Sequence, residues 1–101
     1  MTLLQVREDV VEVRLGPFFR ADVPRDDIIG VAVVRPSRLA GVGAHWWRGA
    51  WVVNTRFGEA VELTTRTPFR IRALGLPLRT NRIQVVVDDP RAVERQLLPS
   101  P

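Results

Sequence analysis

The sequence predicts a mainly β domain that ends in one helix, arranged as a curved antiparallel sandwich or partly open barrel of about seven strands. Three observations support this prediction. Short runs of β-branched and aromatic residues alternate with polar ones, glycine and proline interrupt the chain at short intervals, and a helical period appears only near the carboxyl end. The 101 residues contain no repeat and no linker, so a single domain spanning 1–101 is expected.

The first half of the chain contains four candidate strands. The clearest is Val11-Glu12-Val13-Arg14-Leu15, where strict alternation places aliphatic side chains on one face and charges on the other. Glu8-Asp9 and Gly16-Pro17 are predicted turns on either side of it, and residues 24–27 are predicted to form a turn or one helical turn. The strands are expected at 4–6, 11–15, 18–23 and 28–34.

The second half alternates loops and strands before the period changes. Residues 36–48 contain several glycines without a clear period and are predicted to be a loop that is unusually apolar. Further turns are expected at 56–58 and 66–68, and a loop around Gly75 and Pro77. The strands are expected at 51–54, 60–65, 69–73 and 83–87.

A helix is predicted over about 89–98. Asp88 and Asp89 can accept hydrogen bonds from the free amides of a first turn, and Pro90 is tolerated there because its missing donor would have no partner. Val93 and Leu97 then form an apolar stripe.

Composition excludes several chemistries. All 15 basic residues are arginine, the formal net charge is +4, and the chain has no lysine, cysteine or tyrosine. Schiff-base enzymes, thiol nucleophiles, disulfide frameworks and cysteine zinc sites are therefore excluded. The arginine excess can reflect a GC-rich genome or a need to bind phosphate. Charged residues follow the first few positions closely, so a cytoplasmic location is expected.

Candidate catalytic groups are few. His45 is the only histidine and has no carboxylate at helical spacing, so a hydrogen-bonded or exposed loop histidine is the preferred interpretation. The pairs Asp26-Asp27 and Asp88-Asp89 flank prolines, where turns and caps need acceptors. No catalytic residue, metal site or cofactor is predicted, and the chain is not expected to be an enzyme.

A tryptophan-rich segment is the first candidate binding surface. It comprises His45, Trp46, Trp47 and Arg48, with Trp51 beyond them. Indole rings beside an arginine suit stacking on nucleic acid bases, a lipid headgroup layer or a protein hot spot. The alternative is that one or two of these rings fill the core of a small protein.

An arginine stripe is the second candidate. Arg70 and Arg72 share one face of a strand, and a neighbouring antiparallel strand is expected to bring Arg82 beside them. The alternative is a solvated face that Glu12, Glu59 and Glu62 partly neutralise through cross-strand pairs.

The order of elements resembles the small bacterial pleckstrin-homology-like domains. The segments that carry this resemblance are Val10–Leu15, Val23-Pro24 through Ile28, and Val85 through Leu97. The resemblance implies a bacterial source and a module that binds lipid headgroups, peptides or protein surfaces. Members that bind phosphoinositides have basic residues in the first hairpin, whereas this chain has Glu8 and Asp9, so that lipid site is not carried over.

The sequence therefore predicts a non-catalytic binding or interaction module. A protein partner or a second copy of the chain is the leading expectation for its ligand, since a barrel of short strands can leave an edge unpaired. The alternative is a nucleic acid or an anionic lipid bound by the tryptophan-rich segment and the arginine stripe. No transmembrane segment is expected.

Overall fold

A computed structural model describes residues 4–36, 43–47, 49–54 and 58–97 of the chain, and in them it places eight strands and one helix. The prediction of a mainly β fold with a carboxyl-terminal helix is confirmed. A single 3-10 turn, Arg25–Asp27, joins the third and fourth strands. The strands are β1 (Leu4–Val6), β2 (Val10–Leu15), β3 (Phe19–Pro24), β4 (Ile28–Val34), β5 (Gly43–Trp47), β6 (Ala50–Asn54), β7 (Ala60–Ala73) and β8 (Leu76–Val86), and the helix is α1 (Pro90–Leu97).

The strands form one sheet that curls into a half-barrel. Its order is β1-β2-β3-β7-β8-β6-β5, and β4 pairs with β7 beside this path. The pairings are antiparallel except for the one between β6 and β8. Four of these pairings join strands that are consecutive in the chain, and three join strands that are not, namely β3–β7, β4–β7 and β6–β8.

The core lies on the concave face of the sheet. Alternation places Val11 and Val13 of β2 and Leu63 of β7 there, and all three side chains are fully buried. The helix closes one side of this core, since Val93 and Leu97 pack against it at a spacing of four. The helix begins as predicted, because the Asp89 carboxylate accepts a hydrogen bond from the Ala92 amide at 3.1 Å.

Strand β7 is continuous, which corrects the prediction of two strands separated by a turn at 66–68. Residues 60–65 pair with β4 and residues 71–73 pair with β3, while β8 follows β7 along both parts. An irregularity between Thr64 and Phe69 marks the change of partner. There the Thr67 amide donates to Asp27 of the 3-10 turn at 3.0 Å, so a side chain replaces the missing strand partner.

The expected loop around Gly75 and Pro77 is instead a two-residue turn. Ala73 of β7 pairs with Leu76 of β8, and the two residues between them, Leu74 and Gly75, have φ of 51° and 80°. This is the signature of a type I′ hairpin turn. Pro77 can lie in β8 because, among the described strands, only β7 pairs with that part of β8.

The predicted loop at 36–48 also contains a strand. Residues 43–47 form β5, which pairs with β6 around a turn where Gly49 has φ of 86°. The bulky aromatic residues at 46 and 47 favour a strand, and the glycines on either side obscure that preference in the sequence. Residues 37–42, Arg48 and the predicted turn residues 55–57 lie outside the described residues.

Candidate interaction surface

Five exposed arginines lie together on the convex face of the sheet. Arg14 of β2 is directly opposite Arg20 of β3, which is directly opposite Arg72 of β7. One row further along β7, Arg70 is directly opposite Arg79 of β8. All five side chains point away from the core, because each arginine is next in its strand to a buried residue: Val13, Ala21, Ile71 or Thr80. We call this surface, formed by Arg14, Arg20, Arg70, Arg72 and Arg79, the arginine face.

Two carboxylates neutralise only one side of the arginine face. The Glu12 side chain is 14% exposed, and its carboxylate oxygens lie 3.8 Å from guanidinium nitrogens of both Arg14 and Arg20 and 3.6 Å from one of Arg7. Asp22 lies 3.4 Å from Arg20. Glu12 was expected to neutralise part of the stripe of Arg70, Arg72 and Arg82, but its ion pairs are with Arg7, Arg14 and Arg20 instead. The other two glutamates proposed for this role lie elsewhere, since Glu62 accepts from Gln84 and Glu59 pairs with Arg91.

The side of the arginine face on β7 and β8 keeps its charge. Within the described residues, Arg70, Arg72 and Arg79 take part in no ion pair. Two adjoining open depressions occur here. One is lined by Arg20, Asp22, Arg70, Ile71 and Arg72, and the other by Arg70, Arg72, Pro77, Leu78 and Arg79. An anion in either depression would meet several guanidinium groups at once.

Arg82 does not lie where the sequence analysis expects it. It is opposite Thr64, on the other side of the irregularity in β7, and the residue opposite Arg70 is Arg79. The prediction is wrong because it assumes a longer loop around Gly75 and Pro77. The tight turn at 74–75 sets a different register between β7 and β8. The sequence analysis does not place Arg79, Arg14 and Arg20 beside Arg70 and Arg72, since those positions depend on strand pairing that a single sequence does not state.

The tryptophan-rich segment is divided between the core and the surface. Trp51 is partly buried and packs on Phe19, with ring centroids 5.5 Å apart. Trp46 is 55% exposed and meets the edge of Trp51 across the β5–β6 pair, at 6.2 Å. The side chains of His45 and Trp47, and Arg48 as a whole, lie outside the described residues.

Exposed apolar side chains occur at two turns beside the arginine face. Phe18, in the β2–β3 turn, is 59% exposed, and Leu74, in the β7–β8 turn, is 77% exposed. The Leu74 amide donates a hydrogen bond to the Phe18 carbonyl at 2.8 Å, so the two turns are held together. Leu76, the residue after the second turn, is 62% exposed. We call this group of Phe18, Leu74 and Leu76 the apolar tip.

The shifted ionisable groups have structural partners. Hydrogen bonds from the side chain and the amide of Thr67 lower the pKa of Asp27. The Glu59 carboxylate accepts two hydrogen bonds from the Arg91 guanidinium, at 3.1 and 3.3 Å, which lowers the pKa of Glu59 and raises that of Arg91. These contacts join the 3-10 turn and the helix to the sheet.

A cluster of metal ligands and a membrane-spanning helix are both absent from the described part of the chain. There, no group of three or more histidine, aspartate or glutamate side chains is placed to hold a metal ion. No helix in the same residues is long and apolar enough to cross a membrane. Comparison of the whole chain with protein-family models, with curated proteins and with solved structures gave no match.

Proposed function

We propose that this chain is a non-catalytic binding module that binds an anionic ligand on its arginine face. The observation that carries the proposal is the cross-strand placement of like charges, with Arg14, Arg20 and Arg72 in one row and Arg70 opposite Arg79. Like charges directly opposite each other destabilise a sheet. An arrangement that weakens the folded state becomes favourable when an anion lies over it.

The distribution of carboxylates supports a ligand on the β7–β8 side. Glu12 and Asp22 already occupy the guanidinium groups of β2 and β3, whereas Arg70, Arg72 and Arg79 have no ion pair among the described residues. Arginine presents several donors in a planar fork and suits phosphate or carboxylate oxygens. The ligand class is therefore an exposed array of phosphate or carboxylate groups.

A second copy of the chain is a weaker candidate for this surface. The chain has a net charge of +4, and a copy placed on the arginine face would have to bring its acidic residues there. The most shielded carboxylate of the face, Glu12, is already in contact with three arginines. The pleckstrin-homology-like resemblance and the cytoplasmic location stay predictions, and the proposed function depends on neither.

The test compares charge reversals on and off the arginine face. Arg72→Glu removes a guanidinium that has no ion pair among the described residues, so no described carboxylate loses its partner. Arg95→Glu, on the exposed side of the helix, makes the same charge change and is the matched control. Binding is measured to fluorescent single-stranded oligothymidylate by anisotropy and to phosphatidylcholine vesicles with about 30% phosphatidylserine by sedimentation, over a series of NaCl concentrations.

Binding of at least one probe, weakening as salt rises, is the expected result. A basic residue near an anionic surface contributes about 1 kcal/mol. Because Arg72→Glu changes the charge by two units, it should weaken binding by about 2 kcal/mol, or roughly thirtyfold, and Arg95→Glu should weaken binding far less. Two results would contradict the proposal: no binding of either probe at about 50 mM NaCl, or equal weakening by the two reversals, which would mean that net charge alone attracts the probes.

A further inference from the structure

The apolar tip and the arginine face lie at the same end of the sheet. Phe19 pairs with Ala73, and Ala73 pairs with Leu76, so the β2–β3 and β7–β8 turns are neighbours. Arg20 lies two residues from Phe18, and Arg72 lies two residues from Leu74. At about 3.3 Å per strand residue, this arginine row is roughly 7 Å behind the tip.

Leu74 is a costly residue at its position. It has φ of 51°, in the left-handed region where asparagine and glycine are favoured in this turn, and its side chain is largely in water. Neither the backbone nor the packing of the folded chain explains a leucine there. A leucine at this position becomes favourable if its side chain contacts an apolar phase when the protein is bound to its ligand, because that contact offsets the backbone strain.

We infer that the anionic ligand of this chain is a lipid bilayer surface, into which the apolar tip inserts while the arginine face meets the headgroups. This inference rests on the proposed function. Peripheral apolar groups enter a bilayer by about 5–10 Å, so insertion of Phe18 and Leu74 would place the arginine row at the level of the lipid phosphates. Arginine attraction and apolar insertion then act on the same surface.

The apolar tip favours a bilayer over the other polyanions. A single-stranded nucleic acid offers phosphates to the arginine face and bases on which Phe18 can stack, but it offers no apolar layer for the aliphatic side chains of Leu74 and Leu76. Phe18 and Leu74 project from the ends of two hairpins, so a protein partner would need a cavity shaped to receive both side chains. A planar surface with an anionic outer layer and an apolar interior fits both features.

The absence of cysteine from the chain permits a direct test of insertion. Leu74→Cys is labelled with an environment-sensitive fluorophore, and Ile29→Cys, at an exposed apolar position on β4, is the matched control. Both are titrated with vesicles containing about 30% phosphatidylserine and with phosphatidylcholine vesicles. In parallel, vesicle binding of the unlabelled chain is compared with that of Leu74→Asn and Ile29→Asn. Asn-Gly is the preferred pair for this turn, so Leu74→Asn keeps the hairpin.

With the anionic vesicles, the fluorescence emission of the label at position 74 should shift to the blue and become brighter, while the emission at position 29 should not change. With the phosphatidylcholine vesicles, neither emission should change. Leu74→Asn should weaken vesicle binding roughly tenfold or more, and Ile29→Asn should not. If vesicles bind without a change at position 74 and Leu74→Asn has no effect, insertion is excluded and the proposed function stands. The same holds if oligothymidylate alone binds, whereas binding of neither probe overturns both.

Discussion

Replacing Leu74 with asparagine is expected to stabilise the folded chain. A non-glycine residue in the left-handed region costs roughly 1–2 kcal/mol, and asparagine reduces that cost because its short polar side chain tolerates the conformation. The Leu74 side chain is 77% exposed, so only about a quarter of the 1.5–3 kcal/mol available from burying a leucine is at stake. Relief of about 1 kcal/mol of backbone strain, set against about 0.5 kcal/mol lost from burial, raises the free energy of unfolding by about 0.5 kcal/mol.

The assay is urea unfolding at equilibrium, with the midpoint and the slope both fitted. A gain of this size raises the midpoint by a few tenths of a molar at constant slope. Leu76→Asn is the matched control, since Leu76 is similarly exposed but lies in β8, where asparagine is unfavourable and no strain is relieved. If Leu74→Asn destabilises the chain as much as Leu76→Asn does, the strain argument is wrong and Leu74 is held by packing.

Two further predictions concern the core and the partner switch in β7. Leu63→Ala, at a fully buried position, should lower the free energy of unfolding by roughly 2–5 kcal/mol in the same assay, and a loss below about 1 kcal/mol would mean that the core repacks. Because the folded pKa of Asp27 is lowered, its contribution is complete above the ordinary aspartate pKa of about 3.9 and is lost as pH falls through the folded value. The difference in midpoint between the natural chain and Asp27→Asn should therefore shrink from pH 7 to pH 2, and a constant difference would refute this role.

Local patterns predicted the elements that depend on neighbouring residues. Alternation in Val11–Leu15 identified both the strand and its buried face, and the Asp89 cap marked the start of the helix. These features depend on side-chain period and on capping chemistry, which a short stretch of sequence contains in full.

The remaining differences concern pairing between distant segments. Strand β7 continues through Pro68 because Asp27, forty positions away in the chain, accepts the hydrogen bond of Thr67. The turn at Leu74-Gly75 lacks the asparagine that usually marks its type, so the register of β8 and the place of Arg79 were not foreseen. For the same reason the apolar tip was not predicted, since its two turns meet only in the folded sheet.

The pairings of β7 also differ in how far apart in the chain their strands lie, which favours one order of assembly for the sheet. The β7–β8 hairpin has a two-residue turn and forms locally, whereas β3 and β4 must each find β7 across long stretches of chain. During synthesis, β4 leaves the ribosome well before β7, the one strand with which it pairs among the described residues. Its valines therefore stay exposed to chaperones and to other nascent chains until residue 65 has emerged.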